Sequence, residues 1–414
     1  MHVVMFGDQH LESLGGAQVS MRLQRRFLEK AGHRVTVVAP RMHGPRAAAS
    51  RDDAYLDLPS VPITVDREYS FTWPGRRTDR FLDDAMAGRP PVDLVHVQAD
   101  FWGAFVGHRF ARRHRLPVVH TMHNRVDVGI RATAPFPGLV LRALNAWQRR
   151  ALAGGWIESR PPGRDGWSYL GRFALRSDAV TAPSAHFAGR LEEHGVVPGR
   201  RGIPPHLEAP PTEPVVDVVW NGIDDDVLEA VLASAEPRPP GRPRFVWIGR
   251  MSAEKRLLPF LAAVVASGID ADVEVIGGGG QLRAARRLVH KGRPRANVVF
   301  AGRMLYDETL RRIQAADAVV QTSIGFETQG MTVFEAASLG TPAVVSDPDI
   351  AAELGAGRWD VADGSVAALA AALRRAATDI EAGSTPVPDP AVRERFRQSS
   401  RTAAMIEVYE RVTS

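Results

Sequence analysis

Short apolar runs recur along the chain, each followed by a stretch with helical periodicity. The first is "HVVMF". After Gly15 and Gly16 come Val19, Leu23 and Phe27 at four-residue spacing, and then "RVTVVAP". This pattern predicts a strand, a glycine turn, a helix with one apolar face and a second strand. The rhythm returns at "DLVHV", "LPVVHTMH" and "DAVTAPS". Such runs suit strands of a parallel sheet whose two faces are both covered. "WIESRPPGRDGWSYL" and the proline-rich "GIPPHLEAPPTEP" interrupt the rhythm and read as surface insertions.

A second series follows "ASAEPRPPGRP": "RFVWIG", "DVEVIG", "NVVFAG", "AVVQTS" and "PAVVS", each with a helix-like stretch behind it. The expected fold is therefore α/β, with two doubly wound Rossmann-like domains covering residues 1–222 and 223–390 and joined near residues 222–243. Ligands of such domains bind beyond the carboxyl ends of the strands, so the expected site is a cleft between them. Residues 391–414, including "RERFRQSSRTAAMIEVYERV", read as one amphipathic helix returning toward the N-terminal domain.

Composition narrows the class. A chain of 414 residues is long for one domain, and 44% hydrophobic with 24% charged residues is ordinary for a globular protein. The absence of cysteine excludes a disulfide framework, a thiol nucleophile and a zinc ribbon, and fits a reducing compartment. No apolar run approaches the roughly 20 residues of a membrane helix, and the N-terminus lacks the pattern of a signal peptide. A cytoplasmic location is expected. The formal charge of +5 is carried almost wholly by arginine; the lysines are Lys30, Lys255 and Lys291. That bias fits GC-rich bacterial coding. A basic surplus suits nucleic acid or an anionic membrane. No nucleic-acid module or aromatic-interleaved basic stretch is present, so nucleic acid is not expected.

Four features fall at strand ends. Gly15 and Gly16 let backbone N–H groups approach a phosphate, or simply make a tight turn. "VVHTMHN" ends a strand with His120 and His123, either of which can meet a ligand hydroxyl or sit satisfied in the core. "IGRMSAEK" places Arg250 and Lys255 around one turn, where both can reach a diphosphate; an ion pair with Glu254 competes. In "SIGFETQGMTVFEAASLGTP", Gly330, Met331 and Thr332 open a helix and offer N–H groups to a phosphate. Glu327 and Glu335 then stand on either side to accept hydrogen bonds from hydroxyls. A diphosphate between two hydroxyl-bearing groups describes a nucleotide sugar.

With these residues in place the chain resembles the retaining glycosyltransferases of family four, of GT-B architecture, over essentially its whole length. The resemblance rests on Gly15-Gly16, "TMH" at 121–123, "NGID" at 221–224, "GRMSAEK" at 249–255, and Glu327-x7-Glu335 followed by "GTP". It implies that Glu327 binds hydroxyls of the donor sugar and Glu335 the ribose diol. It implies further that Arg250 and Lys255 neutralise the departing diphosphate, that Gly16 lies against it, and that His123 stands near the reaction centre. His120 matches no element of the family and is left unassigned. The resemblance implies no cofactor and no metal, the cations and the helix N-terminus supplying the neutralising charge. "DDD" at 224–226 more simply starts a helix. A nicotinamide dehydrogenase is disfavoured because "GGGG" at 277–280 lacks the G-x-G-x-x-G spacing. A non-hydrolysing nucleotide-sugar epimerase remains the alternative enzyme class.

"HVQADFWG" and "ETQGMTVFEA" look most like the branch that glycosylates diacylglycerol-type lipids. "GHRFARRHR" and "LVLRALNAWQRRAL" are basic, partly amphipathic stretches suited to peripheral attachment at the anionic inner face of a membrane. A soluble sugar, a cyclitol or a polysaccharide is the alternative acceptor.

Overall fold

The computed structural model describes residues 1–13, 16–43, 52–64, 67, 69–152, 163–199, 215–235 and 241–414. It divides into two compact units, Met1–Trp220 with Arg401–Ser414, and Asn221–Ser400.

The first unit opens with β1 (His2–Gly7), α1 (Gly16–Lys30), β2 (Arg34–Pro40) and β3 (Tyr55–Leu58). A two-stranded pair, β4 (Val61–Pro62) and β5 (Ser70–Phe71), precedes α2 (Arg76–Met86). Then come β6 (Leu94–Gln98), α3 (Trp102–His114) and β7 (Val118–Thr121). Three helices follow in succession: α4 (Val126–Thr133), α5 (Pro137–Ala151) and α6 (Gly166–Ala174). The unit continues with β8 (Ala179–Ala182), α7 (Ala185–Glu193) and β9 (Val216–Val218). Seven strands form one sheet in the order β3-β2-β1-β6-β7-β8-β9, every pairing parallel.

The alternation of β1 shows why the sheet is apolar throughout. Val4 and Phe6 enter one core with Phe105, Phe110 and Phe173, while Val3 and Met5 enter another with Met405, Val408 and Tyr409. Both faces are covered, as the continuous apolar runs require.

The second unit holds α8 (Asp225–Ala233), β10 (Arg244–Arg250), α9 (Leu257–Ser267), β11 (Asp272–Gly278), α10 (Leu282–Gly292) and β12 (Asn297–Gly302). Next are α11 (Tyr306–Ala315), β13 (Ala318–Gln321), α12 (Met331–Ser338), β14 (Ala343–Val345), α13 (Pro348–Leu354) and β15 (Arg358–Asp360). Three helices close the chain: α14 (Val366–Glu381), α15 (Pro390–Phe396) and α16 (Gln398–Thr413). The six strands are parallel in the order β12-β11-β10-β13-β14-β15. Both sheets reverse direction of winding beside their first strand, between β1 and β6 and between β10 and β13. Ligands of open α/β sheets bind at the carboxyl ends of strands at this position.

Several local expectations need correction. The first stretch read as a surface insertion holds the start of α6, whose Tyr169 and Leu170 are buried in the first core; its residues 156–162, and residues 202–214 of the second, lie outside the described residues. The terminal helix is two helices. Ile223 N–H donates to Phe396 O and Gln398 N–H to Ile223 O, a one-residue bridge that holds Arg397 extended and interrupts the helix. In the basic stretch on α3, Arg109 and Arg113 pair with Asp79, and Arg113 and His114 with Asp83, on α2, while Arg112 and Arg115 are exposed. Among the described residues, no helix is long and apolar enough to cross a membrane.

Candidate active site

In the second unit the loops after β10 and β13 meet at the winding reversal. Arg250 is the last residue of β10, and Lys255 ends the short turn of 3-10 helix that follows. The loop is tightly seated because β11 approaches it by backbone alone. A Cβ on Gly277, at φ 128°, would stand 2.0 Å from the Gly249 carbonyl oxygen. A Cβ on Gly279, at φ 152°, would likewise stand 2.7 Å from the Met251 carbonyl oxygen, so two glycines of the "GGGG" run are required by backbone packing.

Lys255 Nζ forms an ion pair with Glu327 Oε1, which also accepts from Ser323 Oγ at 2.6 Å. The Lys255 carbonyl takes the Thr322 hydroxyl at 2.6 Å, and Thr322 in turn accepts from the Trp247 indole at 2.8 Å. Both strand-end loops are thus tied together at the lysine. Arg250 makes the competing contact instead: its guanidinium lies 3.1 Å from Glu254 and is 67% exposed, facing solvent.

The segment leading into α12 is clamped by an amide. Gln329 is buried, accepts from Asn221 N and Nδ2 at 3.0 and 2.8 Å, and donates to Asn221 O at 3.0 Å. "NGID" therefore braces the Glu327–Gly330 loop. Gly325 N–H donates to Asp347, which also caps α13. Gly330 is the N-cap of α12 at φ 79°, and Met331 and Thr332 are the helix's first residues. Gly330→Ala is expected to lower stability by about 1–2 kcal/mol, the cost of a left-handed L-residue. Its Cβ would also stand 2.7 Å from Ile350 Cδ1. An unchanged denaturation midpoint would contradict this.

Glu335 lies on the buried side of α12, where Tyr306 Oη donates to it at 2.9 Å. Burial pushes its carboxyl up to about 7, against the lowering effect of the tyrosine hydrogen bond. Asp224 caps α8 through Asp226 N–H, so the "DDD" run does start a helix.

In the first unit Gly16 is the first residue of α1, and Gly15 lies outside the described residues. His123 follows β7 and sits 3.1 Å from Gln98 Oε1; burial lowers it to about 4, so the ring is neutral near pH 7. His120 is a core residue inside β7. It bonds the Ala99 carbonyl and His108, and burial lowers it to about 3. Asp8, after β1, receives the N–H groups of Asp100, Phe101 and Gly103, capping the start of α3 from another strand. Burial and the neighbouring Asp8 raise Asp100 to about 8.

Sequence reading missed Ser323, Gln329, Tyr306, Gln98 and the Asp8–Asp100 pair. All but Ser323 act through a partner far away in the chain; Ser323 and Gln329 lie inside the stretch at 323–342, and Gln98 and Asp100 inside "HVQADFWG".

Family models agree with this architecture. One described as Glycosyltransferase Family 4 matches residues 14–203, and one described as Glycosyl transferases group 1 matches residues 242–379. The chain is 25% identical over 348 residues to the alpha-monoglucosyldiacylglycerol synthase of Streptococcus pneumoniae, covering 83% of this chain and 70% of that protein. It is also 25% identical over 351 residues to the 2-deoxystreptamine N-acetyl-D-glucosaminyltransferase of Streptomyces fradiae, covering 80% and 74%. The crystal structure of HepE from Anabaena in complex with UDP superposes with a TM-score of 0.66 at 14% identity, over 99% of this chain and all of that one. The paired Rossmann-like units and the matches over both of them lead to one conclusion: the chain belongs to glycosyltransferase family four and is a hexosyltransferase of GT-B fold.

Proposed function

We propose that the protein transfers a hexose, with retention of anomeric configuration, from a nucleotide-diphosphate sugar to a hydroxyl of a membrane lipid of the diacylglycerol type. The donor half of this reading is supported by the joined Lys255–Glu327–Ser323 group at the winding reversal, beside the N-terminus of α12. A cation and a helix N-terminus suit a diphosphate; carboxylates at Glu327 and Glu335 suit sugar and ribose hydroxyls. Arg250, itself exposed, needs only to leave Glu254 to add a second cation. In this reading the leaving phosphate takes the acceptor's proton from the same face, and the protein contributes charge stabilisation without a metal.

The observation that carries the acceptor half is α5. Phe136, Leu139 and Val140 are 70%, 67% and 41% exposed, with Arg142 and Arg150 exposed on the same helix. Trp73, 66% exposed, packs against Trp147 of α5 with ring centroids 5.8 Å apart. Apolar side chains beside arginines suit an anionic bilayer surface. The diacylglycerol relative supports the same class, whereas the aminocyclitol relative supports a soluble cyclitol as the second reading.

Sedimentation with vesicles tests it. Binding is expected to rise with anionic lipid and weaken with salt. Arg142→Glu with Arg150→Glu should weaken it by on the order of 1 kcal/mol per arginine near the surface, lowering lipid glycosylation but sparing donor hydrolysis. Negligible binding to anionic vesicles, with glycosylation of 2-deoxystreptamine, would replace the lipid by the cyclitol. Net interconversion of the donor without loss of nucleoside diphosphate would instead indicate an epimerase.

A further inference from the structure

Gln98, the last residue of β6, is buried between α1 and the loop after β7. Its Nε2 donates to Gln24 Oε1 on α1 and lies 3.9 Å from the Met5 sulfur and 3.4 Å from His96 Nδ1. Its Oε1 is 3.1 Å from His123 Nε2.

The surrounding network gives this amide a direction. Tyr409 is fully buried, and desolvation holds its phenol well above the ordinary range, so the hydroxyl keeps its proton. Its oxygen is 2.6 Å from His96 Nδ1, to which it can donate that proton. His96 Nε2–H then donates to Thr121 Oγ1 at 2.7 Å, and Thr121 is 2.6 Å from Thr181 Oγ1. Gln98 Nε2 thus faces an amide oxygen, a thioether and a ring nitrogen. Its oxygen is left to face His123, whose Nε2 must carry the hydrogen.

We propose that Gln98 is a positioning residue for glycosyl transfer: it fixes His123 as the Nε2–H tautomer and so makes Nδ1 the accepting nitrogen of the ring. The inference rests on the reading of His123 as a site residue. The imidazole is neutral near pH 7, and its titratable neighbours are His120 inside β7, His96 on β6 and Asp100 beyond β6. Asp100 keeps its proton at that pH, so Gln98 acts on the ring without a competing carboxylate there. Gln24 extends the same chain of amides to α1, the helix that begins at Gly16. A histidine's role is set by what its other ring nitrogen bonds.

The test uses the full chain labelled with ¹⁵N-histidine, with His123→Gln identifying the resonance. The wild type is expected to show the Nε2–H tautomer and no titration of His123 above about pH 5. Gln98→Leu should give a mixture of tautomers and about tenfold lower kcat at every pH, in a protein that still folds but melts at a lower temperature because Gln24 and His123 lose a partner, with little change in donor KM. Gln98→Glu keeps an acceptor but adds charge, so His123 should titrate higher, at about 5 to 7. Its kcat should fall as pH drops through that value, because protonation places a hydrogen on Nδ1, and should recover toward pH 9. A wild-type resonance of the Nδ1–H tautomer overturns the proposal, as does a Gln98→Glu pH profile that superimposes on the wild type. Full activity of His123→Gln would separately remove His123 from the reaction.

Discussion

Lys255→Ala and Glu327→Ala are each expected to lower turnover by at least about a hundredfold in a protein that still folds, and the double variant should lose little beyond either single one. The side chains form one ion pair with Ser323 attached, 23% and 18% exposed, and neither belongs to a core cluster. Removing them leaves the sheet and its apolar packing intact. Removing only one leaves the other's charge partly buried beside an empty position, so each single variant damages both roles. The charge on a departing diphosphate is greatest in the transition state, so the loss should appear in kcat. Residues acting as a unit are non-additive, and their coupling is read from a double-mutant cycle. Steady-state kinetics on the four proteins, with circular dichroism as a fold check, decides the matter. Near-wild-type turnover in either single variant removes that residue from the mechanism. Fully additive losses would show that the lysine and the glutamate act separately.

The fold was legible where burial imposes a pattern. β1, β2, β10 and β13 are apolar because helices cover both sides of each sheet, and that pattern is visible in any short window. Of the edge strands β12 was legible, but β9 and β15 were not: they are three residues each and alternate with charged or exposed positions. The break at Arg397 was invisible because it depends on Ile223, far away in the chain. The same division runs through the site. Lys255, Glu327 and Glu335 stood out because a strand end or helix start gives such residues local meaning. Their pairing did not, since the ion pair that the local sequence offered was with Glu254 and folding supplied Glu327 to Lys255. The "NGID" segment had no chemical reading in the sequence and turns out to be the backbone half of a clamp on Gln329. His120 and His123 look alike three residues apart, yet one is inside β7 and the other beyond its end.

Glu335 is expected to couple stability and donor binding in opposite directions. Its carboxyl titrates near 7 in the folded protein, chiefly because burial disfavours the charged form, against an ordinary value of 4.5. Between those values the folded state binds more protons than the unfolded state. Stability from this group is therefore fully present below 4.5 and is lost as pH rises through about 7. At 1.36 kcal/mol per pH unit the difference amounts to at most about 3 kcal/mol, a large share of a typical folding free energy. Glu335→Gln removes the ionisation, so its urea midpoint should exceed that of the wild type at pH 8 and approach it at pH 5. Tyr306→Phe should move the carboxyl further up by removing its hydrogen-bond donor. Binding should show the reverse preference. Only the ionised carboxylate accepts from both hydroxyls of a diol, so donor KM should rise as pH falls below about 7 while kcat stays level. Glu335→Gln should show a raised, pH-independent KM. Urea melts and donor-saturation curves at pH 5, 6, 7 and 8 test both halves. A glutamine variant no more stable than the wild type at pH 8 would show that the carboxylate is solvated in the folded protein. Collapse of kcat at constant KM would instead place Glu335 in the chemical step.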